Sequence, residues 1–78
     1  MTKIGVIKNY IRDLESSDDE VRRNATAALV DIARGGEAEA VVEAGGIKPL
    51  IEAMKDSDEI VRCNAALTLR MIAEGGEA

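Results

Sequence analysis

Residues 45–78, "GGIKPLIEAMKDSDEIVRCNAALTLRMIAEGGEA", lie without a gap over residues 5–38, "GVIKNYIRDLESSDDEVRRNATAALVDIARGGEA". The offset is 40, and 17 of the 34 aligned positions are identical. Numbered in the first copy, these are Gly5, Ile7, Lys8, Ile11, Ser17, Asp18, Val21, Arg22, Asn24, Ala25, Leu29, Ile32, Ala33, Gly35, Gly36, Glu37 and Ala38. A period near 40 residues marks a chain of stacked helical units, none of which can bury its apolar face alone.

Each copy reads as helices on local grounds. Ile7, Tyr10, Ile11 and Leu14 recur at helical spacing, and so do Ile47, Leu50, Ile51 and Met54. Val21, Ala25, Leu29 and Ile32 repeat the period further on, matched by Val61, Ala65, Leu69 and Ile72. Ser17 with Glu20 has the spacing of a capping box, and Ser57 or Asp58 can cap the second copy. Pro49 falls in a first turn, where a missing N–H costs nothing. Gly35-Gly36, Gly45-Gly46 and Gly75-Gly76 supply the left-handed residue that stops a helix. The expected helices are 4–15, 18–34, a short 37–43, 47–55 and 58–74, with no segment of period two. The fold class is therefore all-α, five helices in two stacked repeats, with alanines letting the helices approach closely.

Composition narrows the function. Seventy-eight residues allow a single domain, 1–78, which buries only about 60% of its unfolded surface and is marginal without a staple or a partner. One cysteine excludes an internal disulfide, and the absence of histidine removes the commonest metal ligand and general base. The net charge of −5 repels phosphate backbones, and with no Trp or Phe there is no base-stacking platform, so no nucleic acid is expected. No apolar run is long enough to cross a membrane, and the opening "MTKIGVIKNY" lacks the apolar core of a signal peptide. A lone cysteine fits a reducing compartment, so an intracellular, cytoplasmic location is expected of a natural chain.

The unit of short, medium and long helix resembles the armadillo repeat. The resemblance rests on "AVVEAGGIKPLIEAMKDSDEIVRCNAALTLRMIAEGG", against the family's "A-V-V-E-A-G-G-I-x-x-L" opening and its long helix ending "A-L-x-x-I-A-x-G". "DDEVRRNA" is also similar to the related HEAT repeats. The resemblance implies an α-α superhelix, with repeat 1 at 4–36 lacking its short first helix and repeat 2 at 37–76. It also implies a binding scaffold without catalysis, whose long helices line a groove for extended peptides. Importin-like members grip the peptide backbone with a Trp and an Asn four residues on. Those positions fall at Ala27 and Asp31 here, and at Leu67 and Met71, so neither copy keeps the pair.

Four features of the sequence bear on chemistry. The acidic turns "ESSDDE" and "KDSDE" lack the alternating spacing and central Gly of a calcium loop, and helix capping explains them. The Gly-Gly pairs have no following Lys-Ser/Thr and no preceding strand, so they are not phosphate cradles. Cys63 has no histidine to activate it and reads as a small apolar residue. Asn24 and Asn64 are expected to satisfy backbone groups of the preceding turn, or else to contact a peptide. Neither an enzyme nor a metal protein is expected, and no cofactor or small-molecule substrate.

Ile60, Cys63, Leu67 and Met71 form a second apolar row on the last helix, whereas the same positions of the first copy are Glu20, Arg23, Ala27 and Asp31. Covering Ile60, Leu67 and Met71 would stabilise by roughly 1.5–3 kcal/mol each. Two readings stay open: a partner site, or a surface once covered by a further repeat. The expected partner is a protein, most simply a second copy in a homodimer centred on Leu67 and Met71. The chain's boundaries also suit an excised or engineered fragment with no ligand of its own.

Overall fold

Five helices carry residues 3–75, the part of the chain that the computed structural model describes. They are α1 (Lys3–Asp13), α2 (Asp19–Ile32), α3 (Ala38–Glu43), α4 (Ile47–Ala53) and α5 (Glu59–Gly75). Of the described residues 82% are helical, and no strand occurs among them. Every expected bound holds to within two residues. Gly76, Glu77 and Ala78, which complete the second copy of the repeat, lie outside the described residues.

The starts of the long helices follow from side chains that reach orphan amides. Asp18 is the N-cap of α2, its Oδ1 accepting from the Glu20 amide at 2.8 Å. Ser16 Oγ in turn accepts from the Asp18 amide at 3.1 Å. The cap therefore sits one residue later than the Ser17–Glu20 box predicts. Asp58 does the same for α5, accepting from the Ile60 amide at 2.9 Å and the Val61 amide at 3.1 Å. A carboxylate accepts more strongly than a hydroxyl at the positive end of the helix, which decides the competition.

The helix stops follow the glycines. α2 is regular to Ile32, and the segment Ala33–Glu37 that leads to α3 is kinked, with Gly36 off helical geometry. Gly36 takes φ of 93° there, a conformation closed to most side chains. α3 ends on Gly45, at φ 83°, whose amide reaches Val42 O while the Gly46 amide reaches Val41 O, both at 3.0 Å. This is the six-to-one and five-to-two pairing of a Schellman cap.

Packing follows the first apolar stripe. Ala25, Leu29, Val61 and Ala65 are buried and join Ile7, Leu14, Val41, Leu50 and Ala53 in one core, with Ile32, Leu69 and Ile72 against it. α2 and α5 lie side by side, α1 packs on α2 and α3, and α4 packs on α5. The shortest dimension of the molecule is 18 Å, about two helix layers. α4 differs from its sequence reading. Its inward residues are Leu50 and Ala53, while Ile47, Ile51 and Met54 are 38%, 42% and 39% exposed.

Candidate interaction surface

The joint between the two copies is built by the starts of α2 and α5. Arg22 leaves the first turn of α2 with its Nη1 on Ser16 O at 2.7 Å, which fixes the guanidinium over its own preceding turn. Its far side meets the turn of the second copy, where Nε donates to Asp56 Oδ2 at 2.7 Å and Nη2 to Asp56 Oδ1 at 3.2 Å. Asp19 also pairs with Arg22. Beside it Arg23 donates to Asp58, with Nε–Oδ2 at 2.7 Å and Nη2–Oδ2 at 2.6 Å. Arg22 and Asp56 are nearly covered, at 12% and 13% side-chain exposure, so this fork is shielded from water.

The ionisation of these groups records the pairing. The hydrogen bond to Asp56 raises the Arg22 guanidinium above its ordinary range, against the cost of burial. Burial pushes the Asp56 carboxyl up, but the Arg22 guanidinium and the Asp58 amide outweigh it and hold it below 3.8. The hydrogen bond from Arg23 holds Asp58 below 3.8 as well, with burial opposing.

Further along the same seam, Thr26 is fully buried and its hydroxyl donates back to the helix, 3.0 Å from Arg22 O and from Arg23 O. The same oxygen accepts from Asn64 Nδ2 at 3.3 Å. Asn64 therefore bonds across the joint instead of capping its preceding turn. The arginines do that work, with Arg62 Nη1 on Asp56 O at 2.9 Å and on Ser57 O at 3.1 Å. Asn24, with no unit ahead of it among the described residues, is exposed.

The second apolar row is only partly free. Ile60 is 54% exposed and Cys63 is exposed, but Leu67 and Met71 are half-buried. Met71 lines a crevice between the copies, with Ala33, Gly36, Glu39, Val42, Ile72 and Gly75 among its neighbours. In the first copy Glu20, Ala27 and Asp31 are exposed and Arg23 is tied to Asp58. Much of the difference between Asp31 and Met71 thus has an internal cause: Met71 has the first copy to pack on, and Asp31 faces solvent.

What the apolar-row comparison missed is a second open surface at the other side of the same copy. Ile7 and Leu14 are 0% and 8% exposed, yet their counterparts Ile47 and Met54 are open. Thr26, Val30 and Ala33 are buried, whereas Ala66, Arg70 and Ala73 are exposed. Among the described residues no group of three or more His, Cys, Asp or Glu side chains stands where it could hold a metal ion. No described helix is long and apolar enough to cross a membrane.

Comparison with curated proteins and with solved structures gave no match. The family models gave one, a description of HEAT repeats matched over residues 7–78. HEAT and armadillo repeats are related helical solenoid repeats, so the armadillo resemblance pointed to the right superfamily and the HEAT-like "DDEVRRNA" to the nearer label. With the match covering nearly the whole chain and two helical copies joined through α2 and α5, the chain belongs to the HEAT-repeat family.

Proposed function

We propose that this chain is a non-catalytic protein-interaction module that pairs with a second copy of itself through α5. HEAT repeats are generally protein-interaction scaffolds. The observation that carries the finer reading is Ile60, the most exposed of the large apolar side chains among the described residues, with the exposed Cys63 one turn on. A two-fold pairing of the row closes on itself, whereas head-to-tail stacking would propagate. Ile60 and Cys63 form the centre of that contact, and the half-buried Leu67 and Met71 extend it toward the crevice. This shifts the expected centre by about two turns, because Met71 already lines the crevice between the copies and Leu67 is half-buried. The repeat units run from 4 to 36 and from 37 to 76, and the groove positions Glu20, Arg23, Ala27 and Asp31 continue the row with polar chemistry. A free thiol in such a contact suits a reducing, intracellular setting.

Cysteine chemistry supplies the test. In a two-fold pairing Cys63 approaches its own mate, so a short thiol-specific cross-linker yields a covalent species of twice the chain mass. Cys63→Ser abolishes that species, and Ile60→Lys reduces it sharply. Monomer alone after treatment at high protein concentration removes the self-pairing reading.

A further inference from the structure

α2 passes into α3 through a short segment that is nearly all helical already. Ile32, Ala33 and Ala38 have φ and ψ of −63° and −46°, −65° and −40°, and −58° and −36°. The bend between the two helices comes from Gly36, at 93° and 11°, and from Glu37, at −109° and 25°. A side chain is disfavoured at the φ of Gly36, whereas glycine adopts it freely. Glycine is also the poorest helix former after proline. One residue thus favours the bend and disfavours the straight alternative.

The straight alternative has a definite form. With Gly36 and Glu37 in helical geometry, α2 and α3 become one helix from residue 19 to residue 43, about 37 Å long at ~1.5 Å per residue. α1 and α2 then leave α4 and α5, and the joint between the copies is vacated. Its surfaces do not suit water: Leu29, Val61, Ala65 and Thr26 are fully buried in the joined form, and Ala25 is 1% exposed. A second chain in the same state supplies both missing halves. We infer that the protein has a second folded form, a two-fold dimer in which α1 and α2 of each chain pack on α3, α4 and α5 of the other, and that Gly36 holds it in the single-chain form.

The contacts of the joint carry over to that dimer. Arg22 on Asp56, Arg23 on Asp58 and Asn64 on Thr26 form between chains instead of within one. An antiparallel crossing of the two long helices centred on Gly35 and Gly36 leaves room for close approach, since a Cβ at either glycine would meet nothing within 4 Å. The same crossing sets Arg34 of one chain opposite Glu37 of the other, a pair of opposite charge. Exchange of halves closes at two chains and does not propagate. Association costs freedom that a chain closing on itself does not lose, so the bent form dominates at ordinary concentration. Exchange also requires the joint to open, which keeps native protein in the form it folded into. The row at Ile60 plays no part, so this dimer is separate from pairing through α5.

The test carries Ile60→Lys throughout, which takes the α5 row out of play. Each chain is unfolded in urea, refolded at high protein concentration and passed through size-exclusion chromatography with light scattering. Gly36→Ala shifts the population toward a species of twice the chain mass, by on the order of tenfold per chain relative to the parent. Gly35→Ala is the control: Gly35 is helical in both forms, so the population stays as in the parent. Connectivity is read with thiols. One chain with Thr26→Cys and another with Asn64→Cys, both carrying Cys63→Ser and Gly36→Ala, are refolded together. The Asn64 and Thr26 side chains are 3.3 Å apart across the joint, so oxidation links the two chains. Pairing through α5 does not bring positions 26 and 64 of different chains together, which keeps the two readings apart. A Gly36→Ala chain that stays monomeric overturns the inference, and so does one that loses its helices by circular dichroism. A dimer whose Thr26→Cys and Asn64→Cys chains do not join, or one that Gly35→Ala promotes as strongly as Gly36→Ala, overturns it as well.

Discussion

Ile7 and Ile47 are the same residue at the same place in the two units, so truncating each to alanine isolates what a covering neighbour contributes. Ile7 is 0% exposed and Ile47 is 38% exposed. Removing three carbons from a fully buried isoleucine forfeits about 2.4 kcal/mol of transfer energy at ~0.8 kcal/mol per methylene. The unfilled cavity adds to this, which places Ile7→Ala at roughly 3–4 kcal/mol, inside the range seen for buried isoleucine truncations. Ile47 has less area to lose and water fills the gap, so Ile47→Ala costs about 1–1.5 kcal/mol. The difference of about 2 kcal/mol separates the melting midpoints by roughly 8–16 °C in a domain of this size. Urea unfolding followed by far-ultraviolet circular dichroism reads both values, and Ile7→Val with Ile47→Val gives a gentler pair should Ile7→Ala leave too little folded protein. Equal costs at the two positions would refute the asymmetry between the two units on which the open face rests.

Gly46→Ala destabilises by about 1–3 kcal/mol, since the added Cβ would stand 2.8 Å from Val41 Cγ1 and 3.0 Å from Val41 O. Gly35→Ala meets nothing within 4 Å and leaves the melting temperature close to that of the parent. Acid weakens the joint between the units in a defined direction. Asp56 and Asp58 both have folded pKa values below 3.8, so their contribution is complete above about pH 5 and is lost as the pH falls through those depressed values. A urea series from pH 7 to pH 2 shows this loss, and Asp56→Asn flattens it. At physiological salt the chain gives no mobility shift with DNA or RNA, in keeping with its net charge of −5; micromolar binding would contradict this.

The helices could be read from sequence because period, caps and glycines agreed with one another at each element. Where two signals competed, reading was less secure: Asp18 outcompeted Ser17 for the cap of α2. The Arg22–Asp56 fork was hidden for a different reason, since it joins positions 34 residues apart and no local pattern announces it. The two open surfaces show the same contrast. The row at Ile60 stood out because the copies differ there, Glu20 against Ile60 and Asp31 against Met71. The face at Ile47 and Ile51 escaped notice because the copies agree there. Identical isoleucines sit in opposite environments, and only the neighbour, not the residue, sets which is covered.

Self-pairing through α5 is tested most directly by light scattering across a wide range of protein concentration. The weight-average mass is expected to rise from the chain mass of 8.3 kDa toward twice that value and to level off there. Ile60→Lys holds the mass at that of the single chain, and Ile51→Glu leaves the dimer intact. A mass that stays at 8.3 kDa up to the highest concentration would contradict the dimer, and growth without a plateau would contradict its closed, two-fold form.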